Sequence, residues 1–284
     1  MNSTRRALLK TAGLAPSILF AGRAHAMTAP ALRAPTTGSG MKPVREFGRL
    51  YDYLKDHALR AREAGSLHLT IRDADFSGET FIGGQWHNFR FVGCRFPESA
   101  QIKQKDRYQI PRYQIDQKET SGCTFESCTF GGDRFVELYF GTMRQSIFQG
   151  CRFERTALGI GRGTIGFYDC AFGTPQHPYT ILMGDGTLPL SACLNSDWRD
   201  HLPERIIVLR DCRGSHLIGH YVMANHFVVE GGEFGTLDLG NCRVGKLTVN
   251  NTKCDTLDLE RALAMSFEIK TYGRILTAGS NFVG

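Results

Sequence analysis

Residues 234–259 read FGTLDLGNCRVGKLTVNNTKCDTLDL, and a residue suited to a buried core falls at every fifth position of this stretch. The positions two before these residues are again mostly small or apolar. No α-helix has a period of five, because its turn takes 3.6 residues. The stretch therefore predicts a short structural repeat, built on Phe234, Leu239, Val244, Val249, Cys254 and Leu259, with Gly232, Leu237, Cys242, Leu247, Thr252 and Leu257 two positions earlier.

The same spacing occurs twice earlier in the chain. A repeat at a fixed short period is the signature of a solenoid. Two inward side chains per five residues suit a coil with four short faces, and stacked coils then pair through parallel strands about 4.8 Å apart. The fold class predicted is an all-β solenoid, carried in the earlier stretches by Ile71, Phe76, Phe81, Trp86, Phe91 and Phe96, and by Phe125, Phe130, Phe135 and Phe140.

Several tripeptides place Cys or Ala two positions before a large apolar residue, and in this the sequence resembles the pentapeptide-repeat family. The resemblance implies a right-handed, four-sided parallel β-helix and covers about half of the chain that follows the N-terminal signal. Because phase slips interrupt the repeat, a less regular parallel β-helix stays open. The resemblance rests on Ala74-Asp75-Phe76, Cys94-Arg95-Phe96, Cys123-Thr124-Phe125, Cys128-Thr129-Phe130, Cys151-Arg152-Phe153, Cys170-Ala171-Phe172 and Cys242-Arg243-Val244.

The N-terminus has the pattern of an export signal over residues 1–26. Arg5 and Arg6 precede a mildly apolar stretch, which ends in the small-x-small triplet that contains Ala24 and Ala26. This arrangement resembles a twin-arginine signal, with an ordinary secretory signal as the alternative. The expectation is a periplasmic or secreted protein that begins at Met27 and has no stable membrane anchor.

Charge gives little support for a nucleic-acid partner. The formal net charge of +6 includes four basic residues of the signal, and removing them from the 34 Lys and Arg residues leaves 30 against 28 Asp and Glu, a net of +2. A nearly neutral chain lacks the basic surface that binding to nucleic acid requires. The family's role as an acidic DNA mimic also fits poorly.

The nine cysteines are interpreted as buried structural thiols. Most lie two positions before a phenylalanine, where a small apolar group fits the corner of a coil. Disulfides are the first alternative for an exported chain. Metal binding is the second, but the Cys123-x₄-Cys128 spacing follows the repeat and not a ligand pattern. No metal and no cofactor are therefore expected.

The remaining segments interrupt or close the predicted solenoid, which spans residues 66–284. Residues 27–42 are rich in Pro, Gly, Ser and Thr and predict a linker, and residues 43–65 have helical spacing and predict an N-terminal capping helix. The repeat loses its phase in two insertions, 97–120 and 173–204. Residues 261–284 are expected to form a C-terminal cap.

The first insertion carries the candidate partner-binding residues. Its segment 103–117 contains Arg-Tyr-Gln-Ile twice, which gives Arg107, Tyr108, Arg112 and Tyr113. Tyr and Arg are enriched at protein recognition surfaces. The alternative is a solvated hairpin or crossover that binds nothing.

No catalytic residue is assigned. His216, His220 and His226, flanked by Asp211 and Glu230, could converge on a metal or on acid–base chemistry, but isolated surface histidines are the preferred interpretation. The sequence has neither a G-x-S-x-G nor an H-E-x-x-H motif. Four aspartates are too scattered in sequence to define a hydrolase site: Asp73, Asp75, Asp133 and Asp169.

Two functions follow from this sequence. The first is a non-catalytic exported scaffold that presents a rigid β-helix to a protein partner in the bacterial envelope, for example as an immunity protein that neutralises a toxin. The alternative is a periplasmic carbohydrate-binding or carbohydrate-active β-helix, acting as a lyase or hydrolase. An outer face with aromatic side chains beside clustered carboxylates would distinguish the second from the first.

Overall fold

The structure is a computed structural model that describes residues 42–43, 69–75, 85–87, 89–96, 117–160, 162–184 and 198–282. Apart from a short 3₁₀ helix at Trp198–His201, the regular elements in these residues are strands. The strands are β1 (Lys42–Pro43), β2 (Leu69–Arg72), β3 (Ala74–Asp75), β4 (Gln85–His87), β5 (Phe89–Val92), β6 (Arg95–Phe96), β7 (Gln117–Ser121), β8 (Thr124–Glu126), β9 (Thr129–Arg144), β10 (Ser146–Gln149), β11 (Arg152–Ile160), β12 (Gly163–Tyr168), β13 (Ala171–Phe172), β14 (Tyr179–Gly184), β15 (Arg205–Arg210), β16 (Arg213–Ile218), β17 (Met223–Glu230), β18 (Glu233–Asp238), β19 (Arg243–Asp258), β20 (Leu263–Leu276) and β21 (Asn281–Phe282).

Strand pairing makes the chain a parallel β-solenoid of about seven turns. In the C-terminal coils, as far as Lys270, paired residues lie 20 positions apart, as Ile207 and Phe227, Phe227 and Leu247, and Leu247 and Phe267 do. Four five-residue units therefore complete one coil. The predicted all-β solenoid is confirmed.

The strands stack in four ladders, which we call faces 1 to 4 in the order in which the chain passes through them. Face 1 contains β2, β5, β8, β10, β12 and β15, and face 2 contains β3, β6, β13 and the start of β11. Face 3 contains the end of β11, β14 and the ends of β16 and β18. Face 4 contains β4, β7 and β21. Longer strands such as β19 and β20 turn corners and belong to several faces.

The core of the first coils consists of two columns of phenylalanine rings. Neighbouring rings in a column stack at centroid distances of 4.6 to 5.2 Å. Rings of different columns meet edge to face, as Phe125 and Phe130 do at 5.6 Å and 67°. Both arrangements are favourable for aromatic quadrupoles. The columns are Phe91, Phe125, Phe148 and Phe167 on face 1, and Phe96, Phe130, Phe153 and Phe172 on face 2.

A column of thiols runs along the corner between faces 1 and 2. Each Sγ donates to a carbonyl oxygen of the preceding coil, as Cys151 does to Phe125 at 3.2 Å. The eight cysteines of the described residues are all buried and free, in agreement with the interpretation as structural thiols. The ninth, Cys193, lies outside the described residues. The column comprises Cys94, Cys128, Cys151, Cys170 and Cys212.

The recurring Leu-Asp-Leu tripeptides form the corner between faces 3 and 4. Asp238 Oδ1 accepts a hydrogen bond from Gly240 N at 3.0 Å, and Asp258 Oδ1 accepts one from Glu260 N at 2.8 Å. A carboxylate that binds the backbone two residues on stabilises a tight turn. Asn241 and Arg261 then adopt left-handed φ angles of 56°. The tripeptide therefore has a structural role in each coil.

Several predicted segment boundaries fall differently in the structure. Pro43, the expected first residue of the capping helix, lies in β1, and residues 44–65 lie outside the described residues. Strands β7 and β14 fall within the segments 97–120 and 173–204 and pair with neighbouring coils. The interruptions of the solenoid are thus shorter than the loss of phase indicates.

The C-terminal segment is a further coil and not the predicted cap. Strand β20 pairs with β19 along its length, with register shifts after Asn250 and after Lys253, and β21 pairs with its first residues. Phe267 and Ile275 align with the buried Leu247 and Leu257 but remain 45% and 42% exposed. The inward-facing residues of the last coil are therefore uncovered in the described structure.

Candidate functional site

Face 3 brings two histidines and a carboxylate from neighbouring coils together. Tyr179 pairs with His216 across β14 and β16, and Ile218 pairs with Asp238 across β16 and β18. His220 follows β16 at the corner between faces 3 and 4. We call the surface formed by Tyr179, His216, His220, Tyr221 and Asp238 the His–Asp–His patch.

Asp238 is the centre of this patch. His220 Nε2 lies 2.6 Å from Asp238 Oδ1, while His216 Nε2 lies 4.0 Å from Oδ2. The side chain of Asp238 is only 14% exposed, so its carboxylate is largely shielded from water. Since Oδ1 also accepts the amide of Gly240, two donors hold the carboxylate in one orientation.

The two histidines differ in their hydrogen bonding. With Nε2 of His220 donating to Asp238, a neutral imidazole has Nδ1 as its acceptor. His216 Nε2 is buried and has no hydrogen-bond partner among the described residues. Its distance of 4.0 Å from Oδ2 is beyond the usual range of a hydrogen bond. A shift of about 1 Å in either side chain would close this gap.

Two exposed tyrosines flank the histidines. The ring of Tyr179 packs against His216 at a centroid distance of 5.0 Å and is 54% exposed. The rings of Tyr221 and His220 meet edge to face at a centroid distance of 5.9 Å, and Tyr221 is 42% exposed. The patch therefore combines aromatic area with hydrogen-bonding groups on the outside of a strand ladder.

Local sequence explains how His220 reaches Asp238. Tyr221 adopts a left-handed φ of 58°, which turns the chain out of face 3 directly after His220. Gly240 lies beneath the His220 ring. A Cβ at this position would lie 2.9 Å from His220 Nε2 and 3.2 Å from Asp238 Oδ1. Glycine at position 240 therefore leaves the room that the contact needs.

Of the three histidines in the predicted cluster, the structure brings two together. His226 is exposed on face 1, where it pairs with Ile206. Glu230 lies on the same face, with its Oε2 2.6 Å from Nη2 of Arg210. Asp211 is an exposed corner residue with a φ of 54°. His220 therefore pairs with a carboxylate and His216 lies 4.0 Å from it, while the described residues contain no group that could hold a metal ion.

Asp238 and Tyr179 were not among the candidates that the sequence offered. Asp238 lies 20 residues after Ile218, which is one coil, and this spacing was the available signal. Tyr179 lies 37 residues before His216, because a long connection separates β14 from β16. Because this connection does not keep the five-residue spacing, the sequence does not indicate which residues meet across it.

The scattered aspartates do not form a site in the described residues. Asp73 and Asp169 occupy left-handed corner positions with φ of 49° and 51°, where Asp is tolerated for its backbone conformation. Asp75 is half-buried on face 2. Asp133 lies in β9, and its side chain is outside the described part. Across the described residues, no group of three or more His, Cys, Asp and Glu side chains could hold a metal ion.

Several charges on the other outer faces pair between neighbouring coils. Arg90 Nη2 lies 2.7 Å from Glu126 Oε2, and Lys253 Nζ lies 2.5 Å from Glu233 Oε1. Hydrogen bonds that Arg90 and Lys253 donate to these carboxylates raise the pKa of both residues. These exposed pairs align adjacent coils and contribute little stability each.

The predicted binding residues Arg107, Tyr108, Arg112 and Tyr113 lie outside the described residues, as do Arg5, Arg6, Ala24 and Ala26 of the predicted signal. Within the described residues, no helix has the length and apolar character to cross a bilayer.

The fold defines the class of this chain as a parallel β-solenoid protein. Comparison with protein-family models, with curated proteins and with solved structures gives no match.

Proposed function

We propose that this chain is a non-catalytic binding protein that presents a rigid β-solenoid to a protein partner in the bacterial envelope. The observation that carries the proposal is the His–Asp–His patch, where Tyr179 and Tyr221 remain exposed beside paired polar groups. Tyrosine is enriched among the residues that contribute most to binding energy at protein interfaces, because it offers a large apolar area and one hydrogen-bonding group.

The solenoid supports this role because it fixes the patch in place. Tyr179 and His216 stand on paired strands, whose inward side chains Thr180 and Leu217 are completely buried. A preorganised surface loses little conformational entropy on binding. Binding surfaces held by a rigid scaffold are therefore efficient, and the patch needs no rearrangement to offer both tyrosines.

The proposal includes a repeat family and an export route for this chain. The Cys-x-Phe corners support a pentapeptide-repeat solenoid, which would be right-handed, and the paired arginines support export by the twin-arginine route into the periplasm. An immunity protein that neutralises a secreted toxin is one form of such a binding protein. Its surface would then be complementary to that toxin.

A pull-down from envelope extracts tests the proposal. Full-length protein with Tyr179→Ala and Tyr221→Ala should lose a captured partner, because truncation of an anchor tyrosine costs about 2 kcal/mol or more. The matched control is Tyr168→Ala on face 1, where the ring lies beneath Arg210 and apart from the patch. Equal capture by the double variant and the wild type, with both normally folded, would refute the patch as the contact surface.

The segment 103–117 is the second candidate contact surface of the same binding protein. The paired change Tyr108→Ala with Tyr113→Ala should leave affinity unchanged if the patch alone binds the partner. A loss of affinity in this variant alone would move the site to that segment. The two double variants together therefore assign the surface.

One observation favours the carbohydrate alternative. An exposed aromatic ring beside a carboxylate is the arrangement that the alternative requires, and Tyr179 lies on the same face as Asp238. Asp258 stacks on Asp238 in the next coil, so a second carboxylate is available. Glycoside hydrolysis needs two carboxylates at a defined separation. Binding of envelope glycans that is lost in Asp238→Asn would support this function over a protein partner.

A further inference from the structure

Five buried thiols stand one coil apart in the corner between faces 1 and 2. Thr129 N donates to Cys94 O and Arg152 N donates to Cys128 O, both at 2.9 Å, so each cysteine lies beside the next one in the ladder. Strands paired in this parallel register lie about 4.8 Å apart, and their matched side chains point the same way. We call this row the thiol column: Cys94, Cys128, Cys151, Cys170 and Cys212.

A disulfide between neighbours of the thiol column does not match the spacing of the coils. The bond needs Cβ atoms about 3.8 Å apart, so closing it would draw two coils together by about 1 Å. The rings of Phe130 and Phe153 already stack at 5.0 Å between the same coils, and close packing resists such a shift. The bond would also remove thiol donors, such as the one that Cys151 offers to Phe125 O at 3.2 Å. The fold therefore accommodates these cysteines only as thiols.

The other described cysteines are free as well. Cys123, Cys242 and Cys254 are buried, and none of them is bonded to another cysteine. Every disulfide between two of the eight described cysteines would therefore be foreign to the folded chain. In the unfolded chain the same thiols are exposed and can exchange with a disulfide oxidant. Oxidation before folding and oxidation after folding must then have different results.

We infer that this chain can fold only while its cysteines are reduced, and that the fold, once formed, keeps them reduced in the presence of an oxidant. The reaction excluded by the fold is thiol–disulfide exchange with a small disulfide such as oxidised glutathione. Two cysteine thiols lose two electrons and two protons to form one disulfide, and the oxidant is reduced to two glutathione thiols. Each described cysteine is at most 2% exposed, so the oxidant cannot reach its Sγ in the folded chain.

If the chain is exported as proposed above, folding must precede its arrival in the oxidising periplasm. A chain that arrived unfolded would expose its thiols to the oxidants of that compartment. Disulfides between them would hold coils at distances that the ladder does not allow. This order of folding and export rests on the proposed function, whereas the requirement for reduced thiols is a property of the chain in any buffer.

The order in which oxidation and folding take place is the test, and the purified full-length wild type is the sample. In one arm, reduced protein in urea is treated with excess oxidised glutathione and then diluted into native buffer. In the other arm, the protein is diluted first and then treated in the same way. Circular dichroism measures refolding, and thiols are counted in urea after acid quenching. Recovery of native signal should be about tenfold or more lower when oxidation comes first, and added dithiothreitol should restore it.

After refolding, the eight described cysteines should survive the same oxidant as free thiols. A variant with all nine cysteines replaced by alanine is the matched control and should recover equally in both arms, because it has no thiol to oxidise. If that variant does not fold, the two wild-type arms decide alone. Wild type that refolds after oxidation without reductant would overturn the inference. So would native protein that loses several thiols while its circular dichroism is unchanged, or an oxidised arm that dithiothreitol does not restore.

Discussion

Phe130 shows how single residues stabilise the coils. Its ring is completely buried, stacks on Phe96 at 4.7 Å and on Phe153 at 5.0 Å, and meets two further rings edge to face. Each ring of a column therefore supports the coil below and the coil above. Loss of one ring leaves a cavity that backbone pairing on both sides prevents from collapsing.

Phe130→Ala should lower the free energy of unfolding by about 3–5 kcal/mol, through lost burial and the cavity that remains. Urea denaturation followed by circular dichroism measures this change. Ile147→Ala is the control, because Ile147 lies on the outside of face 1 and is partly exposed. We expect a change of about 1 kcal/mol or less for it. Similar losses in both variants would contradict the inward orientation of Phe130.

Several buried thiols make the free energy of unfolding depend on pH in the alkaline range. Burial raises the pKa of Cys242 to about 12 and that of Cys254 to about 11, and it also raises the pKa of Cys151. The thiol of a cysteine in the unfolded chain has a pKa of about 8.5. Above that pH the unfolded state loses protons that the folded state retains, so stability is full below about pH 8.5 and falls as pH rises toward the folded pKa.

We therefore expect the free energy of unfolding to be constant between about pH 7 and 8 and to decrease above about pH 8.5, by up to about 1.4 kcal/mol per pH unit for each such thiol. Urea titrations in a reducing buffer at several pH values measure the slope. In Cys242→Ala the slope should be smaller by one thiol's share. A slope identical to that of the wild type would show that Cys242 is not held protonated by the fold.

At the scale of elements, the five-residue spacing predicted most of the core. Phe91, Phe96, Phe125 and Phe130 are all buried. Five cysteines are buried two positions before a phenylalanine: Cys94, Cys123, Cys128, Cys151 and Cys170. The spacing predicts these residues because the central inward residue of a face recurs every five positions wherever the backbone keeps its coil geometry. Strand β14 was harder to predict, since its place on face 3 depends on pairing with β11 and β16 and not on its own spacing.

The candidate site was predictable only in part for the same reason. The sequence pointed to His216 and His220, but the partner Asp238 follows one coil later and Tyr179 precedes a long connection. A histidine at a corner can point to either of two faces, and its spacing from the next histidine does not decide between them. His226 illustrates the point, because it lies only six residues after His220 and yet on face 1.

The regular stacking also predicts that a whole coil can be removed. Deletion of residues 245–264 would place Phe267 on Phe227 and Ile269 on Val229, since each pair already shares a ladder position. The shortened chain should unfold cooperatively, with a smaller denaturant m-value because less surface is exposed on unfolding. Deletion of residues 245–263 is the control. It removes an odd number of residues, so Phe267 and Ile269 would take outward positions on face 1. Cooperative unfolding should be lost, and retained cooperativity there would contradict the coil register.

At the scale of the whole molecule, the export route proposed from Arg5 and Arg6 would decide where a partner is met. Replacement of both Arg5 and Arg6 by lysine should retain the chain in the cytoplasm if the twin-arginine route is used. Fractionation of cells that produce a C-terminally tagged protein measures its distribution. A general secretory signal would still direct the lysine variant out of the cytoplasm, so normal export of that variant would contradict the assignment.

The equal spacing of paired residues in the C-terminal coils has a consequence for how such a chain changes over generations. Coils 225–244 and 245–264 present almost the same ladder to their neighbours. Recombination in register between the segments that encode these coils would add or remove one complete coil, and the new junction would join strands that already match. The solenoid can therefore gain or lose whole coils while the sequences of its two ends stay the same. Its length can change in this way to match the size of a binding partner.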